Sequence, residues 1–440
     1  MKSLHPAFCW AERSFPVLPL PLNGQRVART FYEPLLVDTQ GRLFYNRFMP
    51  MNSRSQIFIA WITPGGQLPI LALIGLIAGG CATAPQPPVV QSEEIPAGWT
   101  VPVGAKLEGL QMFDGWTDPR EVKGDVNAPG WPDSSYILGS ASKGYELHYS
   151  YCRHDFERRI LRHKLKDIGV HRAGQTYPGF NLYKATVKDG AWVSEWLPFN
   201  PPGPLDYAAG GMAAGGSPYV FVRFETNAPG AKHGTATIME VARDADGKWG
   251  VPAVLPYPVN TKFAQDNPTL SADGLTLYFD SDRKDAAGNE VKPPPKGYFN
   301  GGRTIYVSHF RDGHWSDPVA VAGAPNAAGT SNMQPFLSAD GRELYWTGHD
   351  RGSPAINCFY RATRQPDGSF QNPVLVAEPT KVGPDIDGKV IALGESSVSE
   401  DGELLAFVFV RARITWRHTR VVGPADRIEI GIALARRIHD

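Results

Sequence analysis

The chain has few cysteines and no surplus of either charge. Only Cys9, Cys81, Cys152 and Cys358 occur in 440 residues, and they show no paired spacing. That excludes a disulfide scaffold and a cysteine-based metal cluster. Lys plus Arg and Asp plus Glu balance at 44 each, so no overall field favours nucleic acid, and no nucleic-acid partner is expected. There is no phosphate-cradling glycine loop, no Gly-x-Ser-x-Gly elbow and no His-Glu-x-x-His pair, which removes P-loop, α/β-hydrolase and zincin chemistry. No cofactor, metal site or catalytic constellation is expected on these grounds. Long apolar runs are also missing, with one exception near the N-terminus. What the chain has instead is glycine (46), proline (39) and 11% aromatics, a mixture that suits many short strands joined by turns.

The exception is Leu68–Cys81, LPILALIGLIAGGC. A bilayer-spanning helix needs about 20 apolar residues. This run is shorter and ends in Gly79-Gly80, so it fits the h-region of a signal peptide. Ile77-Ala78-Gly79-Gly80-Cys81 resembles the lipobox of bacterial lipoproteins. The resemblance implies cleavage before Cys81 and acylation of its thiol; two or more acyl chains, at ~0.8 kcal/mol per buried CH₂, give stable anchoring. Ala82 follows the cysteine rather than Asp, which in that family implies the outer membrane, on the periplasmic side of the envelope. Signal peptides run about 15–30 residues, yet 80 residues precede Cys81. Met51, followed by a short n-region with Arg54, resolves the conflict. The expected layout is an over-extended start or disordered segment at 1–50, a lipoprotein signal peptide at 51–80, the lipidated cysteine and a Pro-rich tether at 81–112, and a folded domain at 113–440.

Within that domain, phrases recur. SADGLTLYFDSDR begins at Ser271, SADGRELYWTGHDR at Ser338 and SEDGELLAFVFV at Ser399. A second phrase, Asp-Gly-x-aromatic, places Asp189, Asp246, Asp312 and Asp367 at spacings of 57, 66 and 55 residues. Each second phrase follows an alternating apolar run such as TIYVSHF, the period of a half-buried strand. Asp-Gly between strands is a hairpin signal, because both residues tolerate the positive φ of a tight turn. Together the phrases spell a four-stranded antiparallel meander, and four-stranded blades set radially make a β-propeller. The expected fold is all-β: one propeller of about five blades, with a sixth left open. DGWTDPREV at 114–122 reads as an orphan fourth strand, whereas the last unit stops after its third. The N-terminal strand is therefore expected to close the ring and leave no edge.

The wording Ser-x-Asp-Gly-x-x-Leu-Tyr-Phe-x-Ser-Asp-Arg, followed by Asp-Gly-x-Trp-x-x-Pro, resembles the TolB-type WD-like propeller repeat. The resemblance covers roughly Trp116 to Arg437 and is most specific in the third and fourth units. It implies protein partners at the propeller faces, including envelope lipoproteins.

The repeated Asp273, Asp340 and Asp401 read as turn formers that bond local backbone N–H groups. The ends of the second strands carry richer chemistry: Asp280-Ser281-Asp282-Arg283, Thr347-Gly348-His349-Asp350-Arg351 and Tyr151-Cys152-Arg153-His154-Asp155. Equivalent positions in several blades converge on one face, so Asp282, Arg283, His349, Asp350 and Arg351 form a candidate ligand-binding set, with ion pairs inside each blade as the competing reading. Phe156–Arg172 carries apolar residues at helical spacing and a basic opposite side, an amphipathic helix inserted between strands. The first expectation is a lipid-anchored, non-enzymatic propeller of the cell envelope, a protein- or ligand-binding or scaffold module whose partners are envelope proteins or a glycan. The alternative is a glycoside hydrolase or polysaccharide lyase with its site at the central channel. That alternative needs two carboxylates about 5–10 Å apart, or a histidine cluster with a metal. Acids or histidines converging from three blades would favour it; a small, apolar funnel with a polar rim would favour the scaffold.

Overall fold

The computed structural model describes residues 98–152, 179–200, 206–225, 235–283, 303–327, 331–349, 357–380, 387–413 and 427–439, and two short strands at 36–37 and 43–44. The signal segment, Cys81 and the helix expected at 156–172 lie outside the described residues. The chain divides into two units, Met1–Gln86 and Pro87–Asp440. In the first, the strands Leu36–Val37 and Leu43–Phe44 pair antiparallel. The second is a five-bladed propeller.

Blade 1 comprises Trp131–Ser140, Gly144–Cys152, Asn181–Lys188 and Ala191–Trp196; blade 2, Asp206–Ala208, Tyr219–Glu225, Thr235–Val241 and Ala253–Val254. Blade 3 comprises Gln265–Leu270, Thr276–Ser281 and Thr304–Arg311, with His314–Trp315 and Val319–Ala320 on its outer side. Blade 4 runs Ser331–Leu337, Glu343–His349, Cys358–Arg364 and Phe370–Pro379. Blade 5 runs Val390–Val398, Leu404–Arg413 and Arg427–Arg437. Apart from three 3-10 turns, the described residues hold no helix.

The ring closes as the orphan strand requires. Trp116–Val122 pairs antiparallel with the last strand, with Ala433 opposite Glu121 and Arg437 opposite Trp116. Residues read in the sequence as the end of the tether also join the sheets. Val103–Lys106 adds a fifth strand to blade 5, and Leu110–Met112 adds one to blade 4. The N-terminal segment thus stitches two neighbouring blades.

Both Asp-Gly phrases are turns. In the first, Ser271 Oγ and the Leu275 N–H both donate to Asp273 Oδ1, at 2.5 and 2.9 Å. Asp340 and Asp401 repeat the arrangement with Ser338 and Ser399. In the second phrase, Asp189 and Asp312 take φ of 50° and 52°, next to Gly190 at 73° and Gly313 at 80°, the doubly left-handed backbone of a type I′ turn. The aromatics that follow, Trp192, Trp315 and Phe370, are buried. The second strand alternates between two cores. Leu277 and Phe279 pack with Val220 and Ile238 of blade 2, whereas Tyr278 packs with Leu344 and Trp346 of blade 4. Every blade therefore seals its neighbours through period-two alternation.

Candidate functional site

The five inner strands surround a central channel, and four of them carry the same irregularity. Pairing with the second strand slips at Asp133/Tyr136, Asp266/Thr269, Met333/Phe336 and Gly394/Ser396. The residue in each bulge, Ser134, Asn267, Gln334 and Glu395, takes a positive φ of 54°, 50°, 57° and 28°. A non-glycine residue held there costs of order 1–3 kcal/mol, and bulges of this kind re-aim side chains beside functional sites. Here they turn polar groups into the channel mouth. Blade 2 contributes Gly210 and Gly211, where an added Cβ would lie 2.4 Å from the Val220 carbonyl and 2.6 Å from Thr269 Oγ1.

Three carboxyls from three blades converge at this mouth: Asp133 of blade 1, Asp266 of blade 3 and Glu395 of blade 5. All three residues are half-buried. The Asp133 carboxyl lies against that of Glu395 and disfavours its charge. Burial, then the nearby Asp133 and Asp266, lift the Glu395 carboxyl well above the usual carboxylate range. Gln334 of blade 4 clamps Glu395 from the side. Its Nε2 donates to Glu395 Oε1 at 2.5 Å, and the Glu395 N–H donates to its Oε1 at 3.2 Å. Burial also pushes Asp266 up, to about 6, with Asp280 and Asp133 adding to the rise and Arg303 opposing it.

Beneath the mouth lies a second layer. Asp280, on the second strand of blade 3, is fully buried. It accepts bonds from Arg303 Nη1 at 2.6 Å, Asn267 Nδ2 at 2.7 Å and the Gln334 N–H at 2.9 Å. The same Arg303 nitrogen lies 3.6 Å from Asp266 Oδ2. Asp280 and Asp266 therefore share one guanidinium, with Asp133 and Glu395 close to Asp266, a crowding characteristic of active sites. Among the described residues, no group of three or more His, Cys, Asp or Glu is disposed to hold a metal ion.

A throat lined by the bulge residues Ser134, Asn267, Gln334 and Glu395 encloses about 30 Å³, room for one or two waters. Its floor is aromatic: Tyr136 donates to the Met212 carbonyl at 3.1 Å and meets Phe336 edge-on at 5.6 Å. Below that floor the channel widens into a cavity of about 360 Å³, lined by Ile137, Leu138, Leu270, Leu337, Val398 and Met212, with Asp340 and Glu400 among its other lining residues. The two ends of the channel thus differ in kind, one acidic and one apolar.

Of the residues singled out in the sequence, Asp282, Arg283 and His349 lie at the acidic end. Asp282 Oδ1 accepts from the Ala264 N–H at 2.9 Å. Arg283 donates to the carbonyls of Pro258 and Val259, at 3.3 and 2.6 Å, and lies over the rings of Phe279 and Tyr306. These contacts tie the second strand to the segment leading in from blade 2. His349 ends its strand, paired with Ser331; Asp350 and Arg351 lie outside the described residues. Asp133, Asp266 and Glu395 were missed, although a signal was there. An inner propeller strand should read apolar, yet four and five residues before each repeat serine stand Asp266-Asn267, Met333-Gln334 and Gly394-Glu395. A polar residue in a strand expected to be buried is the informative observation.

No protein-family model matches the chain, and no curated protein matches it in sequence. Solved structures do. A β-xylosidase, RS223, aligns at 13% identity over 73% of this chain and 96% of its own, with a TM-score of 0.42. A putative TolB from Agrobacterium tumefaciens aligns at 12% identity over 74% and 84%, at 0.35. An α-L-arabinofuranosidase from Lactobacillus brevis aligns at 13% over 71% and 92%, at 0.37. At these identities the likeness is one of fold.

Proposed function

We propose that the protein is a hydrolase of glycosidic bonds, working at the acidic mouth of its propeller and held to the cell envelope by a lipid on Cys81. One observation carries the reading: carboxyls from three blades meet at one mouth, and burial beside its neighbours raises one of them. Glycoside hydrolysis needs a carboxylic acid to protonate the leaving oxygen and a carboxylate to activate water or attack the sugar. Glu395 fits the acid. Burial and the neighbouring Asp133 and Asp266 favour its protonated form, and the proton would be released to a leaving group in the mouth. Asp266, ionised above about pH 6, fits the carboxylate. The small throat beside Glu395 has room for the attacking water. The purified protein is assayed on a panel of p-nitrophenyl glycosides and soluble polysaccharides, beside Glu395→Gln. Release by the wild type alone supports the reading; no release from any member of the panel, or equal release by the variant, sinks it. The anchor rests on the lipobox wording. Cys81→Ala should abolish incorporation of labelled palmitate and free the protein from the membrane fraction.

The apolar end favours a second reading, the protein- or ligand-binding module. A cavity of about 360 Å³ lies within the range of small-ligand sites, and its lining suits an apolar side chain presented by an envelope partner. Filling it with Ala272→Trp should abolish capture of such a partner in envelope cross-linking while leaving hydrolysis intact.

A further inference from the structure

The five blades repeat one another, so each position at the acidic mouth has counterparts around the ring. The second-strand residue paired with Asp266 is Asp280. Its counterparts are Ser150 in blade 1, Val222 in blade 2, Thr347 in blade 4 and Val408 in blade 5. Only blade 3 places a carboxylate there, and it is fully buried. The position just before the third strand is Arg303 in blade 3, against Phe180 in blade 1 and Asn357 in blade 4. Blade 3 therefore departs from the repeat twice, and the two departures meet in one ion pair at 2.6 Å.

We propose that Asp280 and Arg303 are positioning residues: together they fix Asp266 as the proton acceptor of the mouth and seat Gln334 as the clamp on its acid, Glu395. The inference rests on the acid–base reading above for its functional meaning, not for its geometry. A buried Asp280 standing alone would be an uncompensated charge beside Asp266. Arg303 neutralises it and, 3.6 Å from Asp266 Oδ2, leans on that carboxylate as well. Asp280's second oxygen takes the Asn267 amide and the Gln334 N–H. It thereby holds two of the left-handed bulge residues, one in its own blade and one in the next. Gln334, so fixed, delivers its side chain to Glu395. The charged groups facing Asp266 are Arg303 and Asp280 from blade 3, Asp133 from blade 1 and Glu395 from blade 5. Arg303 is the cation among them and favours the charged form of Asp266.

Two substitutions should act in opposite directions, which a merely structural role would not produce. In carboxyl-labelled full-length protein, the ¹³C titration of Asp266, assigned with Asp266→Asn, is followed by NMR. Arg303→Gln should raise the Asp266 midpoint by about a unit or more, because the opposing cation is gone. Asp280→Asn should lower it, because a like charge is gone while Arg303 turns wholly to Asp266. Arg303→Lys, which keeps the charge, should return the midpoint most of the way. The acid limb of kcat/KM for glycoside hydrolysis should move with these midpoints, upward in Arg303→Gln and downward in Asp280→Asn. A midpoint that stays put, or shifts of the same sign in both variants, overturns the proposal. Should Arg303→Gln fail to fold, the downward shift in Asp280→Asn decides alone. The titration needs no turnover: an inactive protein whose midpoints move as stated would sink the hydrolase reading and leave the brace standing, whereas activity with unmoved midpoints would do the reverse.

Discussion

The burial of Asp266 should be measurable as stability. Its carboxyl titrates at about 6 in the folded protein against an ordinary 3.8. The folded state therefore binds its proton more tightly than the unfolded chain does. With a raised folded value, the stabilisation is complete below about pH 4 and is lost as pH rises through about 6. A rise from 3.8 to about 6, at ~1.4 kcal/mol per unit, makes the loss about 3 kcal/mol. The side chain is only 15% exposed, so solvent screens little of this. Against a typical domain stability of about 5–15 kcal/mol, the effect is large. Asp266→Asn cannot ionise and should escape it. In urea titrations between pH 4 and pH 7.5, the variant should gain about 3 kcal/mol on the wild type as pH rises, with similar m values. Curves that run parallel across this range, or a wild type that gains on the variant, would refute the claim that the mouth holds Asp266 against its preferred charge. Confirmation would show a fold that bears the cost of a strained acid where its chemistry is proposed to occur.

Glu395→Gln should lower hydrolysis by about 10²–10⁴-fold, the usual worth of a general acid, with no loss of Tm; a fall of less than fivefold would remove Glu395 from the acid role. Asp340→Ala, at a turn where Asp340 Oδ1 accepts from Ser338 Oγ at 2.6 Å and the Arg342 N–H at 3.0 Å, should cost about 1 kcal/mol in urea unfolding and leave turnover unchanged. Trp116 is 3% exposed and lies under the Arg437 guanidinium at 4.1 Å. Trp116→Ala should therefore destabilise the ring by about 3–5 kcal/mol; a change under 1 kcal/mol would mean that the closing strand contributes little.

The sequence by itself carried the architecture, because architecture here is repetition. Alternation such as LTLYF and TIYVSHF can bury one face only as a strand, and Asp-Gly between such runs can hardly do other than turn the chain. Five copies of that logic, with a lone fourth strand at one end and a missing one at the other, already imply a closed ring. The same wording places charged residues at the ends of the second strands, where Arg283 braces carbonyls and aromatic rings. Tertiary structure decided the rest. Asp133, Asp266 and Glu395 are more than 120 residues apart in pairs, and nothing local says that they touch. Their meeting depends on the closure of the ring and on bulges that rotate single residues inward, which period-two reasoning passes over. Which carboxyl there is raised is decided later still, by burial and by the charges around it, Arg303 among them. Local pattern specifies strands and turns because their hydrogen bonds are local; ionisation answers to every charge within a few ångströms, and only the folded ring brings those charges together.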